Sequence, residues 1–158
     1  MQREPTPEPQ PRSAMPADAP VLAELLDRFN REFATPTPGP GVLAERLERL
    51  LSGELVHALV AGHPAVGMAL VTLRPNVWYE GPVALLDELY VVPERRGQGI
   101  GTRLLKAVEA ECTRRGAKLL EINVDGEDTD ARRFYERHGY TNREPGQAEP
   151  ELYYSREL

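Results

Sequence analysis

The run Arg95-Arg96-Gly97-Gln98-Gly99-Ile100-Gly101 puts three glycines and two arginines into seven residues, between an apolar stretch and an amphipathic one. The start of a helix presents unpaired backbone N–H groups and about half a positive charge. Glycines let that backbone approach a ligand and take positive φ. A loop of this kind, between a strand and a helix, is an anion site, most often for phosphates. Arg95 and Arg96 add permanent positive charge beside it.

Two phosphate loops are excluded by spacing. A Walker loop, GxxxxGK[ST], has no matching lysine here. The dinucleotide fingerprint G-x-G-x-x-G needs glycine at the sixth position, where counting from Gly97 or Gly99 reaches Thr102 or Leu104. What remains is R-x-x-G-x-G: Arg96, Gly99 and Gly101.

The elements around the loop follow from periodicity. The first 16 residues are proline-rich and are expected to be extended, with an irregular edge strand around Gln10 to Ala14. Asp18 is expected to cap a helix with Pro20 in its first turn and Val21, Leu22, Leu25, Leu26, Phe29 and Phe33 on one face. The loop Thr35 to Gly41 breaks it, and a second short helix closes near Gly53. ELVHALVAGHPAVGMALVTLRP reads as a β-hairpin, PVALLDELYVVP as a central strand, Gly99 to Arg115 as a helix and KLLEINV as a strand. A helix from Asp128 or Thr129 to Gly139 follows, and PELYYSREL is expected to end the chain as a strand. Residues 17–158 read as one domain of α/β (α+β) class: a mixed, mainly antiparallel sheet of six to seven strands with about four helices on its two faces. Strand–loop–helix–strand around the glycines makes a βαβ unit, so its two strands are expected to be parallel.

The bulk composition is that of a soluble globular chain of 158 residues, with 41% hydrophobic and 28% charged residues. No apolar run reaches the roughly 20 residues of a membrane span, and the N-terminus has no apolar signal core. A cytoplasmic protein is expected. The net charge of −6 argues against a nucleic-acid partner and suits a cationic one, although solubility explains it equally. The single cysteine, Cys112, is in helical register with Leu104 and Val108 and reads as core.

LDELYVVPERRGQGIGTRLL resembles the strand, loop and helix of the GNAT-family N-acetyltransferases, whose signature is Q/R-x-x-G-x-G/A. DARRFYERHGY resembles that family's second signature. The likeness is strong from Leu85 to Tyr140. It implies acetyl-CoA as acyl donor, with no metal, lying between two splayed parallel strands, here Leu86–Val92 and Leu119–Val124. It implies a pyrophosphate held by the backbone of Gly97, Gln98, Gly99, Ile100, Gly101 and Thr102, with Arg96 flanking it. The pantetheine arm would bond to Leu89, Tyr90 and Val91, and Asn123, Asp128 and Phe134 would complete the cofactor contacts. Asp128 stands where the family often has asparagine, and Asn123 where some relatives have a glutamate base.

The same resemblance implies that Tyr135 gives a proton to the departing coenzyme A thiolate. A phenol of pKa about 10 stays protonated to do so. An alkyl amine acceptor is mostly protonated at neutral pH and must lose a proton before it attacks. Asp87 and Glu88 are the candidate bases, with Glu121 a third, and each could equally be an exposed strand carboxylate. The acceptor pocket is assigned to Phe29, Asn30, Phe33, Trp78 and Tyr79, which could also be core or dimer surface. The expected activity is direct transfer to a primary amine of a small molecule or peptide. A non-catalytic coenzyme A-binding module and a protein (N-terminal or lysine) acetyltransferase are the alternatives. A homodimer, with the last strand as pairing edge, is left open.

Overall fold

The computed structural model describes residues 7–158, so the first part of the proline-rich segment, residues 1–6, lies outside the described residues. The chain divides into two compact units, the first ending at Glu121 and the second spanning Ile122–Leu158.

In the first unit β1 (Pro11–Ser13), β2 (Val56–Ala61), β3 (Gly67–Arg74) and β4 (Val83–Val91) form an antiparallel ladder, and β5 (Leu119–Ile122), all but its last residue in this unit, lies beside β4 at the far edge. The sheet is mixed, because β4, α3 (Ile100–Arg114) and β5 form a βαβ unit whose strands are parallel. The expected edge strand is β1, which pairs with β2 alone among the described strands.

Helix α1 (Ala19–Glu32) and α2 (Pro40–Leu51) cover one face of the sheet. Leu22, Leu25 and Leu26 pack there with Ala58, Val60, Met68 and Tyr90, residues of one strand parity. The other parity, including Leu59, Ala69 and Val71, is equally buried, and Leu104, Leu105 and Val108 of α3 are buried with it. Burying both faces explains why β2 and β3 are near-continuous apolar runs rather than alternating ones. Cys112 is buried on α3, and burial pushes its thiol up to about 11, so it is an inert core residue.

Three expectations are corrected. The described residues form a five-stranded sheet rather than six to seven strands. Residues 150–158 form no strand and are almost wholly exposed. One backbone bond, from the Glu151 N–H to the Asn142 carbonyl at 2.7 Å, joins this segment to the bends and turn before it, and it does not extend into a ladder. Asp18 does not cap α1 with its side chain. Its carboxylate instead accepts two bonds from Arg12, at 2.9 and 2.7 Å, and one from the Met15 N–H at 2.7 Å, and Pro20 has no N–H to offer it.

In the second unit α4 (Thr129–Arg137) is capped by Asp128, whose Oδ1 accepts the Ala131 N–H at 2.9 Å. The helix ends at His138, whose Nδ1 lies 2.7 Å from the Phe134 carbonyl, with Gly139 at φ 90° behind it.

Candidate functional site

Strand β4 leads through a 3-10 turn, Pro93–Arg95, into the glycine loop. Gly97 and Gly99 sit at φ 72° and 78°, the left-handed region that costs other L-residues about 1 kcal/mol or more. Nothing lies within 4 Å of a Cβ placed on Gly97, so its glycine is required by backbone conformation and not by crowding. Gly99 is the N-cap of α3 and brings no side chain to satisfy the first turn. The Ile100 side chain is buried and anchors that turn to the core. The N–H groups that begin the helix at Ile100 and Gly101 therefore meet no side-chain cap. This is a cradle shaped for an anion.

Arg96, expected beside the phosphates, is turned toward α1. Its two terminal nitrogens donate to the two Glu32 carboxylate oxygens at 2.7 and 2.8 Å, and its Nε donates to the Val91 carbonyl at 2.9 Å. The guanidinium also lies 5.6 Å from the centre of the Tyr90 ring. Arg96 holds the Glu32 carboxyl below its ordinary range. The other loop cations are also engaged: Arg95 donates to the Gln98 side chain at 3.1 Å, and Arg103 donates to the Gln98 carbonyl at 3.3 Å and pairs with Glu8 at 3.3 Å.

Upstream, β4 carries a bulge. Leu70 pairs with Glu88 and Val71 with Leu86, so Asp87 is the extra residue. Simple alternation would put Asp87 and Glu88 on opposite faces. Glu88 instead shares the face of its partner Leu70, and Asp87 Oδ2 accepts the hydroxyl of Thr72, which is on that same face, at 2.6 Å. Burial, and then the adjacent Asp87 charge, push the Glu88 carboxyl up to about 7. Asp87 is raised by burial too, against the opposing Thr72 bond. Glu121, the third carboxylate, is engaged by Arg74 at 3.0 Å.

The residues assigned to the acceptor are not brought together. Phe29 stacks on Tyr90 at 4.8 Å and meets Phe33 edge-on at 5.3 Å, with Phe33 largely exposed. Asn30 fastens the loop after α1, donating to the Pro36 carbonyl at 3.0 Å. Trp78 and Tyr79 lie in the β3–β4 connection, where both their N–H groups donate to the Asn76 side chain at 2.9 and 2.8 Å. That connection precedes Val83, whereas Phe29 sits at Tyr90, seven residues or roughly 20 Å further along β4. Trp78 is 86% exposed.

In the second unit Tyr135 meets Phe134 and Tyr140 edge-on, at 5.1 and 5.8 Å. Phe134 also meets His138 at 4.6 Å and the Arg137 guanidinium at 5.3 Å. Asp128 serves as helix cap, and Asn123 follows the end of β5 and is exposed. Glu32 and Thr72 escaped the sequence reading. Glu32 follows Arg28 at helical i, i+4 spacing, a signal that places both on one face but names no partner.

The Acetyltransferase (GNAT) family profile matches residues 20–140. The chain belongs to that family. A protein from Arthrobacter sp. FB24 classed as an acetyltransferase is 57% identical, with a TM-score of 0.90, covering 99% of this chain and 100% of its own. An aminoglycoside N(6')-acetyltransferase of Stenotrophomonas maltophilia is 31% identical over 84% of this chain and 86% of its own length. The aminoalkylphosphonate N-acetyltransferase of Salmonella typhimurium is 37% identical over 48% of this chain, a match that spans 49% of that relative. GNAT acetyltransferases use acetyl-CoA, which fits the uncapped glycine turn of α3. Among the described residues no group of His, Cys, Asp and Glu could hold a metal, and no helix is long and apolar enough to cross a membrane.

Proposed function

We propose that this chain is an acetyl-CoA-dependent N-acetyltransferase acting on a primary amine of a small, cationic acceptor. The observation that carries the reading is the bulge of β4. It sets Glu88, a carboxyl of pKa about 7, on the strand that leads into an anion cradle in a GNAT-family chain. Acetyl-CoA supplies the acetyl group as a thioester. The Gly97–Thr102 backbone would hold its pyrophosphate, and Leu89, Tyr90 and Val91 its amide-bearing arm.

Glu88 accepts a proton from the acceptor ammonium, directly or through a water, so that the free amine attacks. A base of pKa near the working pH is suited to this step. Asp87 keeps Glu88 basic and, ionised, attracts the cationic acceptor. Tyr135, on the strength of its motif, donates to the leaving thiolate. Phe29, Asn30 and Phe33 flank the acceptor, and Trp78 and Tyr79 take part only if the acceptor is long. Two relatives are named for amine substrates, an aminoglycoside and an aminoalkylphosphonate, which supports a small-molecule amine over a protein. We further propose that residues 17–158 act as a single domain in the cytoplasm.

Calorimetric titration with acetyl-CoA, coenzyme A and ATP, followed by thiol-release assays across an amine library, tests this. Micromolar binding of both coenzyme A species, weak ATP binding and amine-dependent thiol release are expected. Absence of coenzyme A binding overturns the proposal.

A further inference from the structure

Helix α1 grips the turn that enters the glycine loop at several points within its last two turns. Arg28 donates to Glu94 at 2.6 Å. Phe29 stacks on Tyr90 at 4.8 Å. Glu32 takes both terminal nitrogens of Arg96, whose Nε ties back to the Val91 carbonyl and whose plane rests by Tyr90. Arg28 and Glu32 are one helical turn apart, so one face of α1 holds the turn at Glu94 and at Arg96.

The placement of Arg96 gives the contact a purpose. Arg96 is the last residue before the left-handed Gly97, and its own backbone is extended, with φ −72° and ψ 160°. Glycines on their own leave a loop free to choose among conformations. Here the chain is fixed at Arg96 on one side and by the buried Ile100 on the other, which leaves only Gly97, Gln98 and Gly99 between two anchors. The carboxylate–guanidinium fork is bidentate, and its carboxylate is three-quarters withdrawn from solvent, the geometry in which such a pair fixes direction as well as distance.

We propose that Glu32 is a positioning residue for the donor loop: by clamping Arg96 against Tyr90 and Val91 it fixes the direction of the N–H groups that receive the pyrophosphate. This rests on the acetyltransferase reading above. It assigns Arg96 to the loop's own architecture, because one proton of each terminal nitrogen is given to Glu32 and the Nε proton to Val91. If Arg96 instead served chiefly as a direct phosphate ligand, Glu32 would compete with the ligand for it.

The two roles predict opposite results for Glu32→Gln. As a positioning residue, Glu32→Gln weakens coenzyme A binding by about tenfold, Arg96→Gln does the same, and the double variant is no worse than either. The KM for acetyl-CoA rises while kcat stays within about twofold. Unchanged or tighter coenzyme A binding by Glu32→Gln, with weakened binding by Arg96→Gln, overturns the proposal. Amide exchange in ligand-free protein reads the clamp without coenzyme A. The Arg95, Arg96 and Arg103 amides, which donate to Val92, Pro93 and Gly99 carbonyls, exchange about tenfold faster in Glu32→Gln when melting temperature is matched. Unchanged exchange overturns the clamp, whereas a wild-type protein that fails to bind coenzyme A overturns the acetyltransferase reading itself.

Discussion

Asp87 and Glu88 are consecutive in the chain and yet lie on one face of β4, because the strand bulges at Asp87 opposite Leu70 and Val71. Two carboxylates so placed cannot both ionise at their ordinary pKa values. The exposed one, bonded to Thr72, keeps its charge more readily, and the half-buried one is pushed up to about 7. The fold thus divides the pair into a charged neighbour and a carboxyl that titrates near neutrality.

The turnover of this protein should therefore rise with pH through about 7. If Glu88 is the base, it works only when ionised, so well below that value kcat/KM should fall about tenfold per pH unit. Glu88→Gln should lower kcat roughly 100-fold and flatten that limb. Asp87→Asn removes a cause that raises the Glu88 pKa, so the limb should move to lower pH. A pH–rate series on the three proteins reads this out, and an unmoved limb in Asp87→Asn would separate the two carboxylates.

Gly99→Asp should abolish coenzyme A binding. The residue sits at φ 78° at the N-cap of α3, with the Arg103 guanidinium 3.2 Å from a Cβ placed there. Strain and charge are separated by Gly99→Asn, which tolerates the left-handed region and carries no charge. Calorimetry should show a loss of a few-fold for asparagine and of at least about 100-fold for aspartate, because only the latter sets a like charge against phosphate. Equal losses would mean that backbone strain alone governs the loop.

Much of this was legible in the sequence, and the misses have physical causes. The glycine loop, α3 and the β2–β3 hairpin follow from local signals: positive-φ residues, helical register and apolar runs. The bulge was not legible, since period-two alternation sends Asp87 and Glu88 to opposite faces, and only pairing with β3 shows otherwise. The Glu32–Arg96 fork joins residues 64 apart, beyond any local pattern. PELYYSREL has strand composition, but a strand needs a partner, and composition does not supply one. Trp78 and Tyr79 follow the exit of the β2–β3 hairpin in sequence, which places them with the first helix in a linear reading, whereas the Asn76 turn holds them at the other end of β4 from Phe29.

Tyr135→Phe removes a hydroxyl and keeps the ring that meets Phe134 and Tyr140. If Tyr135 donates to the departing thiolate, kcat should fall roughly 10- to 100-fold while coenzyme A affinity is unchanged. The loss should shrink when the thiol leaving group is made more acidic. A fully active variant would make Tyr135 a packing residue.

His57 is the strongest candidate for acid sensitivity of the fold. It is 7% exposed on β2, and neither ring nitrogen has a hydrogen-bond partner. Burial, with Arg115 and Arg114 outweighing Glu111, lowers its pKa from 6.5 to about 4. The folded state therefore disfavours the protonated ring. Stability is unaffected above about 6.5, falls as pH drops toward about 4, and levels off below it, for a total of order 3 kcal/mol. His57→Leu removes both unsatisfied groups with little change in volume, a replacement that is near neutral or stabilising at pH 7. Urea denaturation at pH 7.5 and pH 4.5 should show a smaller pH dependence in His57→Leu than in the wild type, by most of that amount. Equal pH dependence in the two proteins would show that His57 is not the source of the acid sensitivity; the carboxylate pairs, chiefly Asp18 with Arg12 and Glu111 with Arg114 and Arg115, have acids held at about 2 and lose their contribution mainly below pH 4.5, outside this window.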